Sequence, residues 1–552
     1  MTKDTEKTDR GAQQTPETAE EERKNLLVPG VERWPVDEGK PIIELEDVHK
    51  SFGKEEVLRG LSLKIEPGTI TIIIGASGSG KSVLIKHMNG LIRPDSGRVC
   101  LFGQDVKTIS DRELSDLRKR IGTMFQNYAL FDSMSVLDNV AFPLIESGGI
   151  GFKKAAEIAE EVLVDLGLGE ALGQFPATLS GGMKKRVSLA RAIVGNPELV
   201  LFDEPTTGLD PVMMEFVDKM ISDITKKYQL TSVLISHDLA TIFRLADSIA
   251  VLHGGQIIAH GSPKEIKSSE DEHVRRLIGG AGSKADIQAG SAKSADGEDE
   301  QDVSVRMKGV HKSFGELKVL KGVDFIAPQH KLTVLIGGSG SGKSVMMKHL
   351  LGLMRPTEGL VEVFGEDLGK MGKGQLRKLR TRIGMLFQHA ALFDSLTVRE
   401  NVAFPLIERR VGTARDAYER VDRIIEQLKL TEAAMETPLH ISSGQQKRVS
   451  LARALVTEPD LIIYDEPTTG QDPLMSKYVE DMIVEVQEEF QITSIVISHD
   501  MASAFRIADY IAMLDKGEII AFGSPAKILE TKDKRVKDFV YAADVAEAAR
   551  QR

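Results

Sequence analysis

Cysteine occurs once in the 552 residues, at Cys100, so neither an internal disulfide framework nor a multi-cysteine zinc site can be built, and a reducing compartment suits the chain. Nowhere do about 18 apolar residues run together, and the opening MTKDTEKTDRGAQQTPETAEEERK has no apolar core of the kind a secretory signal needs. The chain reads as cytosolic, and any membrane must enter through a partner. Positive charge is also short, with 71 Lys and Arg against 82 Asp and Glu, a net of −11. Such a chain is a poor general binder of nucleic acid, so no nucleic-acid partner is expected and any polyanion must sit in a local pocket.

What the sequence does have is duplication. GASGSGKS ends at Ser82 and GGSGSGKS at Ser344, an offset of 262. The same offset pairs Phe52 with Phe314, Gln126 with Gln388, Ser180 with Ser442, Asp203 with Asp465, and His237 with His499. The period is too long for a solenoid, so each copy should own its core. The expected divisions are a disordered tail over 1–38, a first domain over 39–278, a linker over 279–301, a second domain over 302–540 and a C-terminal tail over 541–552. The linker is rich in Gly, Ala, Ser and acid, without apolar periodicity. At 5–6 Å × √n, about 22 flexible residues span roughly 26 Å. That reach lets the two copies face each other.

Each copy alternates strand, glycine loop, helix, then further strands and helices, which predicts an α/β domain with a mainly parallel sheet. The short apolar runs Thr69–Ile74, Leu199–Phe202 and Ser232–Ile235 read as buried strands. The stretch from about 135 to 195 reads as a helical subdomain inserted between sheet elements. Its clearest helix, in GMKKRVSLARAIVGNPE, places Val187, Ala190 and Ile193 on one face.

The glycine loop carries the strongest chemistry. Gly75, Ser77, Gly78 and Gly80 let backbone N–H groups curl around phosphate oxygens, Lys81 reaches the terminal phosphates, and Ser82 offers a hydroxyl to Mg²⁺. Gly337, Ser339, Gly340, Gly342, Lys343 and Ser344 repeat the set. An apolar run ending in Asp203-Glu204, and again in Asp465-Glu466, fits a buried strand opening on a ligand crevice. The Asp would hold Mg²⁺ and the Glu would orient or deprotonate the attacking water.

With LSGGM at Leu179–Met183 and a histidine after the strand SVLIS, the chain resembles the ATP-binding-cassette ATPases over about residues 41–270 and 303–535. The resemblance implies two P-loop NTPase domains that use ATP and Mg²⁺. It also implies that Phe52 and Phe314 stack on adenine, and that Gln126 and Gln388 sense Mg²⁺ and link the site to a transport partner. His237 and His499 would contact the γ-phosphate, and Asp210 and Asp472 would lie in loops crossing between halves. In that family two domains pair head to tail. Lys81 would therefore share a site with Ser442, Ser443 and Gly444, and Lys343 with Ser180, Gly181 and Gly182. Ser443 stands where the family has glycine. Its Cβ is expected to restrict positive φ and close approach to phosphate, at roughly 1 kcal/mol.

MFQNYALFDSMSVLDNVAFPLIE and LFQHAALFDSLTVRENVAFPLIE, together with LSGGM and GQDP, are similar to the ATPases of the Mla/Mce phospholipid transporters. That resemblance implies a permease, a lipid-binding Mce-domain protein, phospholipid cargo, and a peripheral position on the cytoplasmic face of a bacterial inner membrane. It places the permease contact around Tyr128–Pro143 and Ala390–Pro405, with Leu130 and Phe131 exposed. Fusion of two cassettes departs from that family's single-domain ATPase. A tandem sugar or peptide importer is the nearest transport alternative. A soluble twin-cassette translation factor that binds ribosomes resembles the chain in its two fused cassettes, but carries a long charged helical linker that is missing here.

Overall fold

A computed structural model describes residues 39–279 and 302–540, apart from positions 54, 127, 389, 410 and 411. The expected tails and nearly all of the linker lie outside the described residues. The apolar runs become strands: β3 (Ile70–Ile74), β7 (Leu199–Asp203) and β8 (Thr231–Ile235). They are buried almost throughout because both faces of the sheet are covered. With β6 (Ile121–Met124), β9 (Ser248–His253) and β10 (Gln256–Gly261) they form a six-stranded sheet in the order β10-β9-β3-β8-β7-β6. Every pairing is parallel except β9 with β10.

A second sheet in each copy went unforeseen. β1 (Ile43–Phe52), β2 (Glu55–Ile65), β4 (Ser96–Leu101) and β5 (Gln104–Asp105) form an antiparallel sheet in the order β2-β1-β4-β5. Its strands alternate buried and exposed residues, with shifts of register at Asp47 and beyond, so the sequence gives a broken period-2 signal rather than an apolar run. The phosphate-loop helix Lys81–Met88 is clamped between the two sheets: Leu84, Ile85 and Met88 join a core with Ile43, Leu58, Val99, Ile73 and Leu201.

The helical stretch is present as Val136–Gly148, Phe152–Asp165 and Gly181–Ile193. Val187, Ala190 and Ile193 are all buried on the expected face. The second copy repeats both sheets in the same order. Contacts also run between the copies: helix Glu272–Gly279 of the first packs on helix Pro473–Phe490 of the second. No helix among the described residues is long and apolar enough to cross a membrane.

Candidate functional site

In each copy the parallel sheet delivers its chemistry to one edge. β3 ends in the glycine loop, β7 ends at Asp203, and β8 leads to His237; the register pairs Asp203 with Ile235 and Ile73 with Ile235, so the three carboxyl ends meet. Backbone fit makes the loop possible. A Cβ at Gly75 would fall 2.4 Å from the Leu252 carbonyl, and Gly80 sits at φ 103° as the helix begins. That helix start has no side-chain cap and no acid in its first turn, and Lys343 opens the matching helix behind Gly342 in the same way. Its first-turn amides therefore need acceptors from outside the helix.

The lysines show where a ligand's charge is wanted. Lys81 Nζ donates to the Gly75 and Ala76 carbonyls at 2.7 and 2.9 Å, and Lys343 Nζ to those of Gly337 and Gly338 at 2.7 and 3.1 Å. Burial pulls the Lys81 ammonium below its ordinary range, against the attraction of Glu204, Asp472 and Asp203. The Ser79 and Ser341 hydroxyls are buried without a partner in the same loops. A cradle of amides, an ammonium resting on carbonyls and an orphaned hydroxyl together fit a polyphosphate. The neighbouring donors fit Mg²⁺: the Ser82 hydroxyl at the helix start, the Asp203 carboxyl and the Gln126 amide are hard oxygen ligands. Burial, then the nearby Glu204, pushes the Asp203 carboxyl up, a state that a divalent cation relieves. Ser344, Asp465 and Gln388 repeat that set, and Asp465 is shifted in the same way.

Glu204 follows β7 in a left-handed conformation, φ 49°, and Glu466 repeats it at φ 46°. That strain aims each carboxylate into a cage. Gln126 Nε2 donates to Glu204 at 3.2 Å, Thr207 Oγ1 donates at 2.9 Å, and His237 Nδ1 lies 3.5 Å away. Thr469 Oγ1 donates to Glu466 at 3.1 Å, with His499 Nδ1 at 3.6 Å. Burial works to raise the Glu204 carboxyl, but His237, Thr207 and Lys81 together hold it below the usual carboxylate range, and Glu466 behaves alike. Both are anions at neutral pH. Thr207 and Thr469 were not singled out in the sequence; their spacing, three residues after each Glu, was the available signal.

Ser180 caps helix Gly181–Ile193, accepting from the Met183 amide, and Ser442 caps Ser443–Leu455 in a capping box with Gln445. The expected strain at Ser443 is absent. Its counterpart Gly181 has no positive φ, and a Cβ there would meet only the Tyr128 hydroxyl at 3.7 Å. Space is short one residue later, where a Cβ on Gly182 would fall 2.7 Å from Met213 Cε. Phe52 and Phe314 are exposed at the ends of β1 and β11 (Val303–Phe314), with Lys50 Nζ 5.7 Å and Lys312 Nζ 5.3 Å from the ring centres. Leu130 differs from expectation: it packs partly on the core, and Phe131 is the exposed member of the pair.

The two copies meet through Asp210 and Asp472, both buried. Asp210 Oδ1 accepts from the Met213 amide of its own helix, while Oδ2 accepts from the Ser339 amide of the other copy's phosphate loop at 3.0 Å. Asp472 mirrors this, with Oδ2 accepting from the Ser77 amide at 3.0 Å. Met213 Cε lies 2.7 Å from where a Cβ on Gly182 of the LSGGM signature would stand, and Met475 Cε 3.2 Å from the same point at Gly444 of the second copy's ISSGQ signature, so each signature is linked through one short loop to the opposite phosphate loop. Gly208 faces Thr469, and Gly470 faces Thr207.

The family model described as ABC transporter matches residues 58–207 and 320–469, more than half of the chain. Among relatives, an ABC transporter ATP-binding protein of Methanocaldococcus jannaschii is 27% identical over 88% of this chain and 96% of its own length. An oligopeptide transport ATP-binding protein of Mycobacterium bovis is 26% identical over 88% of this chain and 96% of its own. A methionine import ATP-binding protein of Mesorhizobium japonicum is 39% identical over 44% of this chain and 67% of its own.

Proposed function

This chain belongs to the ABC transporter family as a tandem ATP-binding-cassette ATPase, and on that premise we propose that it hydrolyses ATP at two sites formed head to tail between its own two copies. The observation that carries the pairing is reciprocal: Asp210 binds the Ser339 amide and Asp472 binds the Ser77 amide. One site joins the phosphate loop around Lys81 to Ser442, Ser443 and Gly444. The other joins Lys343 to Ser180, Gly181 and Gly182.

At the first site the phosphate-loop amides receive phosphate oxygens, and Lys81 exchanges its carbonyl partners for the terminal phosphates. Phe52 stacks on the base. Ser82, Asp203 and Gln126 are the residues that would hold Mg²⁺, and the ion when bound would supply positive charge to the phosphate oxygens. Glu204, ionised and fixed by Thr207 and Gln126, orients a water and accepts its proton, and His237 supports the far side of the carboxylate. The second site uses Phe314, Ser344, Asp465, Gln388, Glu466 and His499 in the same roles.

The chain serves a membrane permease from the cytoplasmic face of an inner membrane. Phospholipid is the proposed cargo, with an Mce-domain protein in the complex; the likeness of the segments after Gln126 and Gln388 to Mla/Mce ATPases supports it. Peptide import is the second reading, supported by the oligopeptide transport relative that matches across both copies. Purification of the chain with its permease from solubilised membranes tests both. Phospholipid and an Mce-domain protein in the complex support the first reading. A peptide-binding protein in their place selects the second.

A further inference from the structure

The signature helix of each copy buries an ammonium that the chemistry above does not use. Lys185 is 1% exposed and Lys447 is 4% exposed. They occupy the same position 262 residues apart, in the second turn of Gly181–Ile193 and of Ser443–Leu455. Neither has a carboxylate partner among the described residues. A buried, unpaired cation is expensive. Burial pulls both ammonium groups down to about 8.

Their partners are backbone carbonyls, and the two copies use different ones. Lys185 Nζ donates to the carbonyl of Pro205, the residue after Glu204, and lies 6.0 Å from the Tyr128 ring. Lys447 Nζ donates to the carbonyl of Gln388, the counterpart of Gln126. One side chain thus has two stations, the loop that carries the catalytic carboxylate and the loop that carries the glutamine. Both loops belong to the site in the lysine's own copy. The helix that carries the lysine starts at the signature, which belongs to the other site.

We propose that Lys185 and Lys447 are positioning residues that couple the two ATP sites, each tying the signature helix serving one site to the catalytic or glutamine loop of the other. Exchange of carbonyl partners lets the signature helix follow one loop or the other as a site fills and empties. The proposal rests on the head-to-tail pairing.

Lys185→Met and Lys447→Met test it in the full chain, because methionine keeps the apolar stem and removes the charge and donor. Steady-state hydrolysis of Mg·ATP should show kcat down about tenfold, KM within about twofold and a Hill coefficient falling to 1, with no loss of melting temperature. Lys185→Arg and Lys447→Arg should restore most of the cooperativity. Unchanged kcat and Hill coefficient in both methionine variants overturn the coupling. So does a loss of kcat that tracks a lower melting temperature and that arginine does not rescue. Retention of ATP by the Glu204→Gln, Glu466→Gln chain is measured alongside. If that chain holds no ATP between its copies, the pairing itself fails and the coupling falls with it; if it holds two, the lysine result stands on its own.

Discussion

Ser443 shows how a single residue misleads when its backbone is unknown. A serine in a glycine-rich motif suggests strain, yet the position is the first residue of a helix, where serine is well tolerated and only Gly182 and Gly444 are pressed by Met213 and Met475. Ser443→Gly and Gly181→Ser should each therefore change steady-state ATP turnover by less than about twofold, whereas loss of the carboxylate at Glu204 and Glu466 should remove turnover and leave ATP bound, as nucleotide counting after gel filtration checks. His87, on the phosphate-loop helix, carries a pH dependence. Its Nδ1 donates to the Val83 carbonyl, and its Nε2 is buried without a partner. Burial pulls its pKa down, so the folded state disfavours the protonated ring. Stability from this group is full above the unfolded value of about 6.5 and is lost as pH falls below it. His87→Leu should flatten the decline in denaturation midpoint between pH 7.5 and 5.5.

At the scale of elements, the loop between each glutamine and the helix that follows it, Val136–Gly148 or Val398–Glu408, presents a ring to solvent at a fixed place. Phe131 is 41% exposed and Phe393 43%, each against a second ring, Phe142 at 4.9 Å and Phe404 at 4.6 Å. The backbone under each ring is held independently, because Asn139 accepts from the Phe131 amide and donates to its carbonyl, and Asn401 does the same for Phe393. The rings are consequently dispensable for the local fold. Phe131→Asp and Phe393→Asp should detach the chain from permease-containing membranes by at least about tenfold in co-sedimentation, with melting temperature and ATP binding by the free chain unchanged. Asn139→Ala should instead lower stability, since it removes the side-chain partner of the Phe131 amide and of the Met134 carbonyl.

For the whole molecule, the reciprocal Asp bonds join the two copies of one chain, so the proposed pairing predicts closure within a monomer. Ala at both Asp210 and Asp472 removes two cross-copy bonds and two helix caps, each cap worth about 1 kcal/mol. Scattering from the Glu204→Gln, Glu466→Gln chain should show an ATP-dependent compaction at constant, monomeric mass, and the added Asp210→Ala and Asp472→Ala changes should abolish it. Compaction that appears only with doubling of mass would show that pairing occurs between chains.

The duplication, the phosphate loops, the carboxylate pairs and the buried parallel strands are legible along the chain because they are local: spacing fixes which groups leave one strand end or open one helix. What depends on separate segments meeting is set by the three-dimensional fold. The antiparallel sheet joins strands whose register shifts blur their alternation. The ionised state of Glu204 comes from His237, Thr207 and Lys81, brought together by three different strands. The neutral cost of Ser443 follows from a φ angle, and the buried Lys185 from a carbonyl twenty residues away. The head-to-tail pairing rests on two carboxylates reaching the other copy's amides across 395 and 129 residues, distances in sequence over which no local pattern carries information.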